Sequence, residues 1–185
     1  MAKDAIYEGE REVRTFADLN HGADVLLTIA KEQPKGSYYT IMGSLLLSAF
    51  TFEAYLNHLG AKLFSYWENL ESLPVMDKYA VISQHLKVKP DFGRRPYQST
   101  RNLFRFRNAI AHGKSVILRE KKEVSSATEP SDHTPKTQWE EYATLENAER
   151  IRGDVSAIVK ELHIAAGLGD YPFIHGSTVS GMSLK

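Results

Sequence analysis

Arg107-Asn108-Ala109-Ile110-Ala111-His112-Gly113 closes an amphipathic helical pattern and places a permanent cation, an amide and an imidazole within six residues. Arginine stays charged at any working pH and grips phosphate in a planar fork. Histidine gives or takes a proton near neutrality. Together they suit phosphodiester chemistry without a metal. The same two residues also suit a solvated helix end, because helix C-termini favour cations.

The helix that carries this stretch begins after Pro96 and ends near Gly113, a natural C-cap position. With Arg101 set to zero on an ideal helix, Arg105, Asn108 and His112 fall within about 40° of it. Leu103, Phe106 and Ile110 fall between about 140° and 200°, so one face packs inward and the other aligns two arginines, an amide and an imidazole. Arg107 lies off that stripe at about 240°. Acting with His112 requires its long side chain, or a loosening of the helix before Gly113, to bring it round. Arg105 is the alternative partner.

An earlier helix, from about Ser37 to Tyr66, is apolar on nearly all sides in its first half and is expected at the centre of the core. Glu53 follows that apolar run, and Asn57 shares its face one turn later. A carboxylate in such surroundings is costly to bury unless paired. Arg101, Arg105 and Arg107 are the expected partners, and solvation at a rim is the alternative.

The remaining elements extend the same pattern. A first helix is expected from about Glu10 to Lys31, with Val13, Phe16, Leu19, Val25, Leu26 and Ile29 at three- and four-residue steps. A short helix covers about Val75 to Leu86, and a last one about Leu145 to Ala166 turns Ile151, Val155, Ile158, Val159 and Leu162 inward. Ser115 to Leu118 carries a slight strand signal. Between them, residues 119–140 are charged and rich in Ser, Thr and Pro, and read as an exposed loop or hairpin. The expected fold is all-α: a bundle of four longer helices plus a short one, with an irregular charged insertion before the last. Residues 1–166 form one domain, and 167–185, with four glycines, form a flexible tail.

Composition bounds the chemistry. The chain has 185 residues, 23 basic and 23 acidic, so no global field gathers nucleic acid. Any such binding must come from local clustering or assembly. Arg94, Arg95, Arg101, Arg105 and Arg107 fall within fourteen residues. There is no cysteine, which excludes thiol catalysis and fits a cytoplasmic location. The first residues hold acids and no apolar run, unlike a secretory signal. The apolar stretch from Ile41 to Phe52 is too short and too polar to span a bilayer. The seven histidines show no ligand spacing, so neither metal nor cofactor is expected.

These residues, in this order, resemble the HEPN family, an all-helical bundle marked by an arginine, four to six intervening residues and a histidine. Arg107, Asn108 and His112 match that pattern, with four residues between the arginine and the histidine. The run Phe52-Glu53-Ala54-Tyr55-Leu56-Asn57-His58-Leu59-Gly60 is similar to the family's earlier core helix. The likeness covers about Gly36 to Ala166. It implies a metal-independent endoribonuclease of the kind found in toxin–antitoxin, antiphage and RNA-processing systems. It also implies a homodimer whose two motifs share one cleft. In that setting His112 takes the proton of an RNA 2′-hydroxyl, Arg107 stabilises the charged phosphorane, and Asn108 orients the imidazole or donates to phosphate. The alternative is a non-catalytic bundle that binds proteins or nucleotides, including one half of a toxin–antitoxin pair acted on by a separate nucleotidyltransferase.

Overall fold

Helix α2 organises the molecule because its middle is apolar on nearly all sides, with only Phe50 left exposed there. In the computed structural model, which describes residues 4–184, α2 spans Tyr38–Leu63 and buries Leu45, Ala49, Phe52, Tyr55, Leu56 and Leu59 completely. Its buried hydroxyls at Ser44, Ser48 and Thr51 are all hydrogen-bonded to main-chain carbonyls. Ser48 Oγ donates to the Ser44 carbonyl at 2.7 Å, Thr51 Oγ1 to the Leu47 carbonyl at 2.8 Å, and Ser44 Oγ crosses to the Ala23 carbonyl at 2.8 Å. Back-bonding of this kind is how hydroxyls are tolerated inside a helix.

The other helices pack around it. They are α1 (Thr15–Glu32), α3 (Val75–His85), α4 (Tyr97–Ala111), α5 (Gln138–Tyr142) and α6 (Leu145–Ala165). Helix α6 buries Ile151, Val155, Ile158, Val159 and Leu162, the inward set read from the sequence. Its start is capped by Thr144, whose hydroxyl accepts from Asn147 N at 3.2 Å. Asp154 of α6, nearly buried, accepts two hydrogen bonds from Arg95 at 2.8 and 2.9 Å and a third from Ser99. Together with Tyr97 donating to Glu161 at 2.9 Å, this fastens the beginning of α4 to α6. Among the described residues no helix is long and apolar enough to cross a membrane.

Three features differ from the sequence reading. First, the chain is predominantly helical but not purely all-α. Strand β1 (Ala5–Arg11) pairs antiparallel with β2 (Thr178–Leu184), from Ala5 opposite Leu184 to Arg11 opposite Thr178. Glu10 therefore lies in a strand, and α1 starts at Thr15. The pair is extended by Glu12 N donating to the Ser177 carbonyl at 2.9 Å, and His175 Nδ1 reaches Asp18 at 3.0 Å. Second, α1 turns only part of the expected set inward: Phe16 is buried, and Leu19 and Leu26 are half-buried. Phe16, Ala17, Ala23, Leu27 and Ala30 are buried, while Val13, Val25 and Ile29 are exposed. Alanines win those positions because α1 lies close on α2: a Cβ on Gly43 would stand 2.8 Å from Leu26. Third, the charged insertion ends in the short helix α5, and Ser115 to Leu118 forms no strand.

Helix α5 is only five residues long, below the length at which a helix holds itself. A complete capping box supports it. Thr137 Oγ1 accepts from Glu140 N at 3.3 Å, and Glu140 Oε2 accepts from Thr137 N at 2.7 Å. Thr137-Gln138-Trp139-Glu140 is the sequence signature of that motif.

Gly60 marks the tightest approach on α2. A Cβ there would meet the buried Trp67 indole at 2.3 Å. Gly60→Ala gains about 1 kcal/mol of helix propensity but overpacks a rigid ring, at a cost of about 1–3 kcal/mol. Urea unfolding is expected to show a net loss of stability. A midpoint equal to or above wild type would contradict this packing.

Candidate functional site

The motif helix ends as its sequence requires. The last residue of α4 is Ala111, and His112 itself takes the C-cap position, with its N–H returned to the Asn108 carbonyl at 3.0 Å. Gly113 follows, and its N–H reaches the Ile110 carbonyl at 3.3 Å. The His112 imidazole is exposed and makes no side-chain hydrogen bond among the described residues. It projects from the end of the bundle, where a ligand can reach it.

Arg107 stands differently. It is partly buried on the flank of α4 that faces α2, as its angular position off the exposed stripe demands. Its Nη2 lies 3.6 Å from Glu53 Oε2, and its Nη1 donates to Asn108 Oδ1 at 3.1 Å. The guanidinium carbon also sits 5.8 Å from the centre of the Phe50 ring. No hydrogen bond joins Arg107 to His112 among the described residues; Asn108, in contact with Arg107, lies one turn before the imidazole. A depression of about 260 Å³ opens beside Arg107, lined by Glu53, Phe104, Asn108 and the Leu73–Met76 run that starts α3.

Glu53 is thus paired, but with one arginine rather than any of three. Arg101 instead packs over the Phe92 ring at 4.8 Å, and Arg105 is exposed on the opposite flank of α4. The second partner of Glu53 is a residue the sequence reading passed over. Lys78 of α3 has a side chain only 3% exposed, with its ammonium 3.7 Å from Glu53 Oε1 and donating to Asn57 Oδ1 at 3.0 Å. The signal was present: Lys78 falls on the inward face of a short amphipathic helix, beside the buried Tyr79 and one turn before Ile82. Glu53 and Asn57, one turn apart on α2, together hold the one ammonium, and Glu53 shares its charge with Arg107.

The other histidines of the bundle interior differ from His112. His163 Nδ1 lies 3.0 Å from the Tyr55 hydroxyl, and His58 packs on Phe16. Burial pushes both imidazoles below their ordinary range and the Tyr55 phenol above its own. Both imidazoles are engaged in packing contacts of the bundle, where desolvation disfavours the charged form. Another depression, of about 700 Å³, runs along the exposed strand pair and is lined by Ile6, Glu8, Glu10, Val179 and Met182 with no cation or imidazole. It offers nothing to a phosphate.

The chain matches no family model, no curated protein and no solved structure.

The ion-pair arrangement has a measurable asymmetry. Glu53→Ala leaves the buried Lys78 ammonium with only the Asn57 amide and no counter-charge, and breaking a buried pair from one side costs on the order of 3 kcal/mol. Arg107→Ala leaves Glu53 with Lys78 and partial exposure, where loss of an ion pair costs about 1 kcal/mol or less. Thermal unfolding is expected to rank Glu53→Ala well below Arg107→Ala, with Glu53→Leu/Lys78→Met recovering most of the loss. Equal losses for the two single variants would contradict the pairing.

Proposed function

We propose that this chain is a HEPN-type bundle that acts as a metal-independent endoribonuclease, with Arg107, Asn108 and His112 as the catalytic residues and Glu53, Asn57, Arg101 and Arg105 in support. The observation that carries the reading is that one helix, α4, holds both an exposed imidazole at its C-terminal end and, about one turn earlier, a guanidinium oriented from behind by Glu53. A catalytic arginine must be fixed before substrate arrives, because preorganised charge costs no reorganisation at the moment of reaction. Glu53 supplies that orientation, and Asn108, which accepts from Arg107 Nη1 at 3.1 Å, lies one turn before the imidazole.

The chemistry needs no cofactor. His112 removes the proton of a 2′-hydroxyl, the 2′-oxygen bonds to the adjacent phosphorus, and the phosphorus–5′-oxygen bond breaks. The products are a 2′,3′-cyclic phosphate and a 5′-hydroxyl. The departing 5′-oxygen must receive a proton, and one imidazole does not conveniently serve as base and acid at the same instant. His112 of a second copy supplies it in a homodimer. Two α4 segments facing one another also concentrate arginines that a neutral chain otherwise disperses.

One observation favours a second reading, a non-catalytic module that binds a protein or a nucleotide. Arg107 already contacts both Glu53 and Asn108, and an arginine so engaged is equally suited to holding a helix end.

Incubating a mixed-sequence RNA with EDTA and wild type, Arg107→Ala or His112→Ala protein separates the two. Wild type is expected to leave cyclic phosphate ends, and each variant to lose at least about a hundredfold in rate, the lower range for a positioned proton-transfer group. Undiminished cutting by His112→Ala would overturn the catalytic assignment. Absence of cutting by folded, dimeric wild type would leave the binding module.

A further inference from the structure

Helix α4 is a ridge between two hollows. Arg107 and Phe104 face the one described above. On the other flank, at about 40–140° on the same helical wheel, Asn102, Arg105, Phe106 and Ala109 face α5 across a second depression of about 200 Å³. Its far wall is Trp139 and Tyr142, with Gln138 at the rim. His112 lies at about 20°, on the crest between the hollows, and Ala109 precedes it by three residues, about 4.5 Å along the axis.

The chemistry of the second hollow is specific. Trp139 and Tyr142 offer flat aromatic surface, and the buried Phe106 backs Tyr142 with ring centres 5.3 Å apart. The side-chain amides of Asn102 and Gln138 each present a donor and an acceptor. Arg105 is exposed and has no carboxylate partner among the described residues. The volume falls below the roughly 300–1,000 Å³ of pockets that enclose drug-sized ligands, a size suited to one planar ring system rather than a whole cofactor. The wall is held in advance of any ligand: the capping box fixes the start of α5, and Asn147 Nδ2 donates to the Tyr142 carbonyl at 2.8 Å to tie its end to α6.

We propose that this α4–α5 hollow is a nucleotide-binding subsite, in which a base lies on Trp139, its edge meets Asn102 and Gln138, and Arg105 takes the attached phosphate. The proposal rests on reading α4 as a nucleic-acid-facing helix and adds the element that would choose where the strand is cut. Aromatic stacking accepts any base, and the two amides supply a preference among them. With the hollow one turn from His112, a nucleotide seated there sets which neighbouring phosphate reaches the imidazole. Ala109 is what keeps the floor open, since any longer side chain at that position would occupy the space.

The test reads binding without cutting. The protein has two tryptophans, and the other, Trp67, is buried, so quenching of fluorescence by a ligand reports Trp139. A 2′-O-methyl RNA oligonucleotide, which cannot be cleaved, and a nucleoside monophosphate are titrated separately into wild type, Ala109→Phe and Arg105→Gln, each checked for helical content by circular dichroism. Wild type is expected to quench, with Ala109→Phe and Arg105→Gln weakened at least about tenfold, the lower range for loss of one stacked base. Tighter binding of the oligonucleotide than of the monophosphate identifies an RNA strand as the natural occupant, and equal binding identifies a free nucleotide. Quenching that is unchanged in both variants, or absent from wild type, overturns the subsite. A Trp139 signal that follows protein concentration and ignores the oligonucleotide assigns the hollow to a second copy of the chain and also overturns it. Cleavage of ordinary RNA by the same preparations keeps the two readings apart: cutting without quenching removes the subsite alone, and quenching without cutting removes the nuclease reading alone.

Discussion

Glu53 is the one carboxylate that α2 carries, and the cation-bearing faces of two other helices depend on it. Lys78 is buried almost completely, and a buried ammonium costs several kcal/mol unless compensated. Its compensation is a single carboxylate and a single amide, both from α2. The same carboxylate draws Arg107 inward, so one negative charge locks α3 and α4 against α2 at one point. Two cations sharing one anion also leave a net positive charge at that point. The geometry thus combines a structural lock with an electropositive spot at the base of the motif helix.

That lock explains why α4 presents two kinds of chemistry on separate flanks. Arg107 is committed to the α2 side, and Arg105 is free on the α5 side. His112 stands on the crest because the helix ends there, and the C-cap position frees its side chain from packing. An RNA strand crossing the crest would meet charge on one side, aromatic surface on the other and an imidazole between them. A single copy has one such imidazole at this helix end, so the proposed reaction includes a second copy.

The sequence disclosed most where local periodicity decides the outcome. The inward face of α6 and the Leu103–Phe106 side of α4 follow directly from helical spacing, because those helices bury a single continuous stripe. Periodicity misled for α1. Its large apolar residues Val25 and Ile29 define a stripe, yet the close approach to α2 selects alanines, and no one-dimensional pattern reports interhelical distance. Strands β1 and β2 stayed hidden because each needs a partner at the other end of the chain, and Gly and Ser in Thr178–Leu184 read as a tail. Lys78 was missed because a charged residue among apolar ones is usually read as solvated. The partnership of Glu53 with Arg107, rather than Arg101 or Arg105, depends on which flank of α4 meets α2. Helical angles placed Arg107 apart from its neighbours without saying what it faced.

The most direct measurement is a crystal structure of the protein with a 2′-O-methyl RNA, in which the nucleophile is blocked and the strand stays intact. The account predicts a phosphate within hydrogen-bond reach of both Arg107 and a His112 imidazole, with Glu53 still behind the guanidinium and a second copy of α4 across the strand. RNA bound elsewhere, or a phosphate held with Arg107 still turned wholly toward Glu53, would contradict it.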